Sequence, residues 1–232
     1  MTTPQPTVSP YVIPLSRRWI TGTLVALLVL LLIAHLWFQY LKFYRGGAPW
    51  NFDWLFSVDE EQSLPTWYSA TTLMLAASLL LAIAGRSKRE GGRDARYWLG
   101  LSLGFALMSV DEIAGLHETI NTYLAITWTV PGAVLVGVIG LLYLGFLRRL
   151  PTRTRWWFVA AGAAFVGGEL GVQFGINGWL FTHSMDSFAY NLLAAIDKGL
   201  KMGGEVLFVH ALLSHMSASS HPALEIVLEP RP

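Results

Sequence analysis

Apolar residues fall in six long segments separated by short polar connections, at about residues 20–40, 64–84, 97–120, 128–148, 155–179 and 187–214. At a rise of about 1.5 Å per residue, each segment coiled as a helix crosses roughly 30 Å of hydrocarbon. The pattern predicts an all-α fold, a polytopic membrane bundle of six transmembrane helices within residues 17–216, flanked by tails at 1–16 and 217–232. The local signals agree with these bounds. Ser63 is a good N-cap ahead of Pro65, and Pro131 falls in the first turn of the fourth segment, so neither proline breaks a helix interior.

Six spans put both ends of the chain on one side, and the basic residues choose which. Arg17 and Arg18 precede the first segment, Arg86, Lys88, Arg89, Arg93 and Arg96 fill the second connection, and Arg148, Arg149, Arg153 and Arg155 surround the fourth. The third and fifth connections have no Lys or Arg, and the first has only Lys42 and Arg45 among acidic residues. The positive-inside rule then places both termini in the cytoplasm, as expected for a bacterial inner-membrane protein. Tryptophan marks the same depths. Trp19, Trp98, Trp156 and Trp157 belong to an inner belt and Trp37, Trp67, Trp128 and Trp179 to an outer one, with Trp50 and Trp54 in the outer first connection.

Composition strengthens the membrane assignment. Of 232 residues 53% are hydrophobic and only 13% charged, with a mean hydropathy of +0.47, too little polar surface for a soluble domain. A net charge of +1 gives no reason to expect nucleic acid as a partner; lipids, and other membrane subunits, are the expected neighbours. The absence of cysteine removes disulfides, thiolate metal sites and cysteine nucleophiles. Ser16-Arg17-Arg18 faintly resembles a twin-arginine export signal, but no small-residue cleavage site follows the first segment, which reads as a retained helix.

Against this apolar background the ionisable residues inside the segments stand out, since each costs about 2.5–3.5 kcal/mol at a helix centre on insertion scales. The third segment holds Asp111, Glu112, His117 and Glu118; the fifth holds Glu169 and Gln173; the sixth holds Asp197, Lys198, Lys201, Glu205 and His210; His35 lies in the first. Asp111 and Glu118 are seven residues apart, Glu169 and Gln173 four apart, and Asp197 to Glu205 form one broad stripe, so each set shares a helix face. The chain directions bring these stripes to similar depth in the outer half. We therefore expect a polar cavity between the second, third, fifth and sixth helices, open to the outside, with Asp59, Glu60 and Glu61 near its mouth.

In that cavity six carboxylates outnumber Lys198 and Lys201. Either some of them hold protons, or a bound cation supplies the missing positive charge. A divalent metal on Glu112, His117 and Glu169 is one form of the second option, because imidazole beside carboxylate suits zinc, iron or manganese. Against it, the Glu-x-x-His spacing of di-iron bundles and the His-Glu-x-x-His zinc motif are absent. His35 with His117 is a weak haem pair. A purely structural alternative has Lys198 and Lys201 paired with Asp197, Glu205 and Glu169 as buried salt bridges that set helix register. His210 reads as interfacial, and His183, His215 and His221 as solvated. The fifth segment's Gly167 and Gly171 form a small-xxx-small pair for close helix contact, and the fourth, without ionisable residues, is the natural lipid-facing member.

The stretch from Ser109 to Glu118, whose core Asp111-Glu112-x-x-x-x-His117-Glu118 lies within a span, together with Leu64-Pro65-Thr66-Trp67-Tyr68-Ser69, resembles a family of uncharacterised bacterial multi-span membrane proteins. In that family the last span carries an acidic pair and a further Glu before Met-x-Gly, where this chain has Asp197-Lys198 and Lys201-Met202-Gly203. The resemblance implies a shared membrane fold and no activity. If the family site binds a metal, the two lysines stand here as an internal cation instead.

The expectation is an inner-membrane protein whose acidic and histidine cavity binds a cation or relays protons. As an enzyme it would be a metal-dependent oxidase or hydrolase. The alternatives are a proton-coupled transporter, without an inverted repeat to support alternating access, and an accessory subunit of a larger energy-converting complex.

Overall fold

The computed structural model describes residues 11–14, 16–116, 129–172, 175, 186–218 and 225–228. Among them are seven helices: α1 (Arg17–Tyr44), the short α2 (Phe52–Leu55), α3 (Leu64–Arg89), α4 (Ala95–Ala114), α5 (Thr129–Arg149), α6 (Thr152–Val166) and α7 (Phe188–Ala218). A 3-10 turn, Pro49–Asn51, leads into α2, and a π-helical turn, Gly167–Val172, extends α6. By length and composition three of them, α1, α3 and Val130–Arg149 of α5, are long and apolar enough to cross a membrane. At 31 residues α7 spans about 46 Å, but its middle carries Asp197, Lys198, Lys201 and Glu205.

The longest helix is also the centre of the bundle. α7 packs against α1, α3, α6 and the π-turn, while α3 lies along α4. Small residues let α3 and α4 approach, and two serines stitch them: Ser102 Oγ donates to the Ala77 carbonyl and Ser109 Oγ to that of Ala70, both at 2.8 Å. The donors are seven residues apart and so are the acceptors, so one antiparallel register holds over two turns. Ser63 caps α3 as expected, its Oγ accepting from the Thr66 amide at 3.3 Å.

The basic helix ends gather at one end of the bundle. Arg17 donates to Ser214 Oγ at 3.2 Å, Thr21 bonds His210 Nδ1 at 3.1 Å, Arg149 donates to Asp94 Oδ1 at 2.6 Å, and Thr154 meets His215 Nδ1 at 3.4 Å. The terminal stretches also meet: Tyr11–Pro14 and Glu225–Leu228 pair as antiparallel strands, with Tyr11 opposite Leu228. On α5, Val134, Leu141 and Leu142 are exposed, in keeping with a lipid-facing member, while Phe146 is buried against Trp98 at its basic end.

Several expectations change. The third segment does not continue as one helix to residue 120: α4 stops at Ala114, capped by Gly115 in the left-handed conformation (φ 58°), its amide bonded to the Asp111 carbonyl. The helix that holds Asp111 therefore ends three residues further on, and Glu118, expected on the same face, lies outside the described residues. The close glycine contact is made by Gly168 and Gly204, whereas Gly167 has open space around it. Trp98 is buried with Phe146 and Phe158 instead of standing in the inner belt, because the start of α4 packs inward against α7. His215 lies against Trp98, ring centres 5.1 Å apart and the planes tilted by 36°, and is half-buried, not solvated. Trp19, Trp37, Trp50, Trp67 and Trp156 are well exposed, as belt residues should be.

Candidate functional site

The site forms where α7 carries its charges. Asp197, Lys201 and Glu205 recur every four residues and so lie along one face of the helix, and all three are buried. Lys201, its side chain 8% exposed, points its ammonium at Glu112 of α4, with Nζ 2.6 Å from Oε2, and at Glu169 of the π-turn, 3.4 Å from Oε2. One turn further along α7, Glu205 is 2% exposed and accepts from Ser69 Oγ of α3 at 2.7 Å. Four separate elements thus supply the cluster.

Local backbone features explain why these side chains meet. At Gly168 an added Cβ would stand 2.6 Å from the Asp197 carbonyl oxygen and 2.8 Å from the Lys201 amide nitrogen, so only glycine lets the π-turn lie against α7 there. Gly204 does the same from the other side, facing the Phe165 amide and the Ala161 carbonyl. A π-turn widens the helix by one residue, which re-aims the next side chain, Glu169, towards the lysine. Gly115 then turns the chain away just after Glu112; a Cβ on it would strike the Glu61 carboxylate. That contact brings one of the acidic residues before α3 up to the end of α4.

The electrostatics are unbalanced. Glu112, Glu169, Asp197 and Glu205 gather around one buried ammonium. Asp197 Oδ1 and Glu205 Oε2 are shut off from solvent with no hydrogen-bond partner among the described residues. Such orphaned acceptors are costly in a low dielectric and mark a place where a proton or ligand belongs. Above the cluster, Tyr190 of α7 donates to Asp59 Oδ2 at 2.7 Å; Tyr190, Asp197, Lys201 and Glu205 share one face of α7, a polar file along that helix. Below Glu205 the same helix face turns apolar: Val209 and Leu212 of α7 and Leu80 of α3 are fully buried.

Of the ten residues singled out from the sequence, Glu112, Glu169, Asp197, Lys201 and Glu205 come together. Asp111 is half-buried beside Glu112 on α4. Lys198 is half-buried and forms no ion pair among the described residues; of the pairings in the structural alternative, the one between Lys201 and Glu169 forms, and Glu112 takes the other place on Lys201. His117, Glu118 and Gln173 lie outside the described residues, as do His183, His221, Trp128 and Trp179. The metal set expected on Glu112, His117 and Glu169 falls partly outside the described residues, at His117. Glu112 and Glu169 both turn to Lys201, and among the described residues no three His, Asp or Glu side chains come together as metal ligands. His35 is no haem ligand here: Val58 N donates to Nδ1 at 3.4 Å and Nε2 meets the Asn191 carbonyl at 3.2 Å, so backbone groups occupy both ring nitrogens. It clasps α1, the chain before α3 and the start of α7.

Sequence reasoning missed Ser69 and Tyr190 as partners. A signal existed for the first, since Thr66, Ser69 and Thr72 repeat every three residues along the buried face of an apolar helix.

A family model, domain of unknown function DUF8692, matches residues 15–216. The chain belongs to that family. The matched DUF8692 region contains every residue of the Lys201 cluster and all seven helices but the last two residues of α7. No curated protein and no solved structure matches the chain. Chemistry for the DUF8692 fold must therefore come from the cluster itself.

Proposed function

We propose that the chain is a six-span inner-membrane protein of bacteria, both ends cytoplasmic, whose acid cluster around Lys201 takes up and releases protons from the outer side. The single observation that carries the site is the pair of buried, unpartnered carboxylate oxygens on Asp197 and Glu205, one on either side of a lysine already engaged by Glu112 and Glu169. Protons are the cations that fit, because the ammonium stands between the two acids a metal would need.

The membrane placement rests on three supports. The Lys- and Arg-bearing ends of α1, α3, α4, α5 and α6 collect at one end of the bundle, as the positive-inside rule requires of alternating spans. Pairing of residues 11–14 with 225–228 needs both tails on one side, which an even number of spans supplies. α4, α6 with its π-turn and α7 carry too much charge or too few residues to qualify on apolarity alone, yet each lies against an apolar neighbour that does, or against another of them.

A one-sided site fits better than a through-path. The polar file ends at Glu205, and the buried apolar layer of Leu80, Val209 and Leu212 separates it from the basic end. A proton-coupled transporter would need a route past that layer. The role of accessory subunit in an energy-converting complex keeps one specific support, the exposed apolar face of α5, which suits a neighbouring subunit as well as lipid; native mass after mild extraction separates the two.

The test is infrared difference spectroscopy on the full chain in vesicles, with pH changed on the outside only. A protonated-carboxyl band that follows external pH and is lost in Glu205→Gln or Asp197→Asn is the expected result. Spectra of both variants superimposing on wild type would defeat the proposal. Metal content tracking Glu112→Gln would replace protons with a metal ion.

A further inference from the structure

A second site lies at the opposite end of the bundle, where α3 finishes, α4 begins and α7 makes its last turn. A cavity of about 180 Å³ opens there, with Ile83, Arg86, Ser87, Glu90, Trp98 and His215 among its lining residues. Its floor is apolar, with Ile83 and Trp98 buried, and its rim is polar. None of the acids around Lys201 takes part, so the cavity is distinct from the site described above.

Two rim groups lack partners. Arg86 spends only Nε on Glu90, at 2.8 Å, which leaves both terminal guanidinium nitrogens without a bond among the described residues. Ser87 Oγ likewise makes no hydrogen bond among them, although it stands at the cavity wall. The surroundings are cationic. Arg86, Lys88, Arg89, Arg93 and Arg96 face only Glu90 and Asp94 in this stretch, and Asp94 is tied to Arg149 at 2.6 Å. An arginine fork with free nitrogens, a hydroxyl beside it and an excess of positive charge is the chemistry that holds a phosphate.

Position selects the source of that phosphate. On the six-span reading this end sits among the headgroups of the inner leaflet, where basic pockets between spanning helices recognise anionic lipids. The apolar floor suits the glycerol and first methylenes beneath a headgroup, which free phosphate does not possess. We propose that this cavity binds the phosphate headgroup of an anionic phospholipid from the inner leaflet, with Arg86 as its main contact. Glu90 competes for the same guanidinium and so weakens the hold.

Native mass spectrometry of the full chain, released from nanodiscs of phosphatidylglycerol and phosphatidylcholine, reads the outcome directly. One phosphatidylglycerol should be retained, with retention falling about tenfold in Arg86→Gln and rising in Glu90→Gln, since a single charge-assisted contact is worth about that factor. Both substitutions are at the rim, so folding is preserved, and Arg18→Gln serves as a control that removes a basic charge at the same end outside the cavity. Equal losses in Arg86→Gln and Arg18→Gln, or retention unchanged in Arg86→Gln, would overturn the proposal. So would a thermal stabilisation by inorganic phosphate alone that matches that of phosphatidylglycerol and vanishes in Arg86→Gln. Failure here leaves the Lys201 site untouched, because neither rim residue is part of it.

Discussion

The N-terminal and C-terminal halves of α7 are built on one continuous helix and pack against the same neighbour, α3, yet they are held together differently. Up to Glu205, α7 meets its neighbours through Asp197, Lys201 and Glu205, with backbone approaching backbone at Gly168. Beyond it, Val209, Ala211 and Leu212 are fully buried against Leu80 and the aromatic group of Trp98, Phe146 and Phe158. Within a bilayer such an apolar half gains little from the hydrophobic effect, since tails are as apolar as leucine, and depends on close packing. The N-terminal half depends on charges satisfied inside protein, an arrangement strong only while every partner is present. A dry half therefore adjoins a polar half, and the two should respond differently to pH.

The contrast breaks most completely at Gly168. Gly168→Val should abolish the folded monomer on gel filtration in mild detergent, because backbone atoms of α7 already fill the space, whereas Gly167→Ala, with open space around it, should leave the elution profile unchanged. Next in size is Lys201→Met, which strands Glu112 and Glu169. A loss of about 3–5 kcal/mol is expected at neutral pH. Part of it should return on acidification, because protonated carboxyls need no cation; thermal melting across pH reads both the size and the sign. A melting curve for this variant that does not rise towards acid would mean the two halves do not differ as argued.

Leu212→Ala probes the dry half. It should cost about 2–5 kcal/mol, within the range for deleting a buried leucine side chain, and the loss should be the same at every pH. Smallest is Ser109→Ala, which removes one serine stitch between α3 and α4; about 0.6 kcal/mol is typical of an interhelical bond in a membrane protein. A larger effect would show that this seam, and not α7, organises the bundle.

Much of the fold was legible because its signals are local. The starts of α1, α3, α5 and α7 fall within about three residues of the predicted ones, and Ser63 caps α3 as its sequence indicates. Other features were not legible. Nothing in the third segment's composition announces that Gly115 adopts a left-handed turn instead of continuing the helix; apolar periodicity is unbroken across it. The choice between Gly167 and Gly168 as the contact glycine depends on the π-turn, which shifts the helix face by one residue. Trp98 was misplaced for a similar reason: an indole near a helix end suits the interface and the core equally, and only the packing of α4 selects the core.

The sequence by itself determined that the chain is helical, apolar, and charged at alternate helix ends, because helix period, segment length and the cost of charge in lipid act residue by residue. It also singled out the acids and lysines of α7, since their expense in an apolar segment is visible without coordinates. Which of them meet was decided by tertiary structure alone. Lys201 turns to Glu112 and Glu169 while Lys198 does not, and Ser69 takes Glu205, because pairing depends on the rotation and depth of helices far apart in the chain. Those are set by glycine contacts and a π-turn that no one-dimensional pattern encodes.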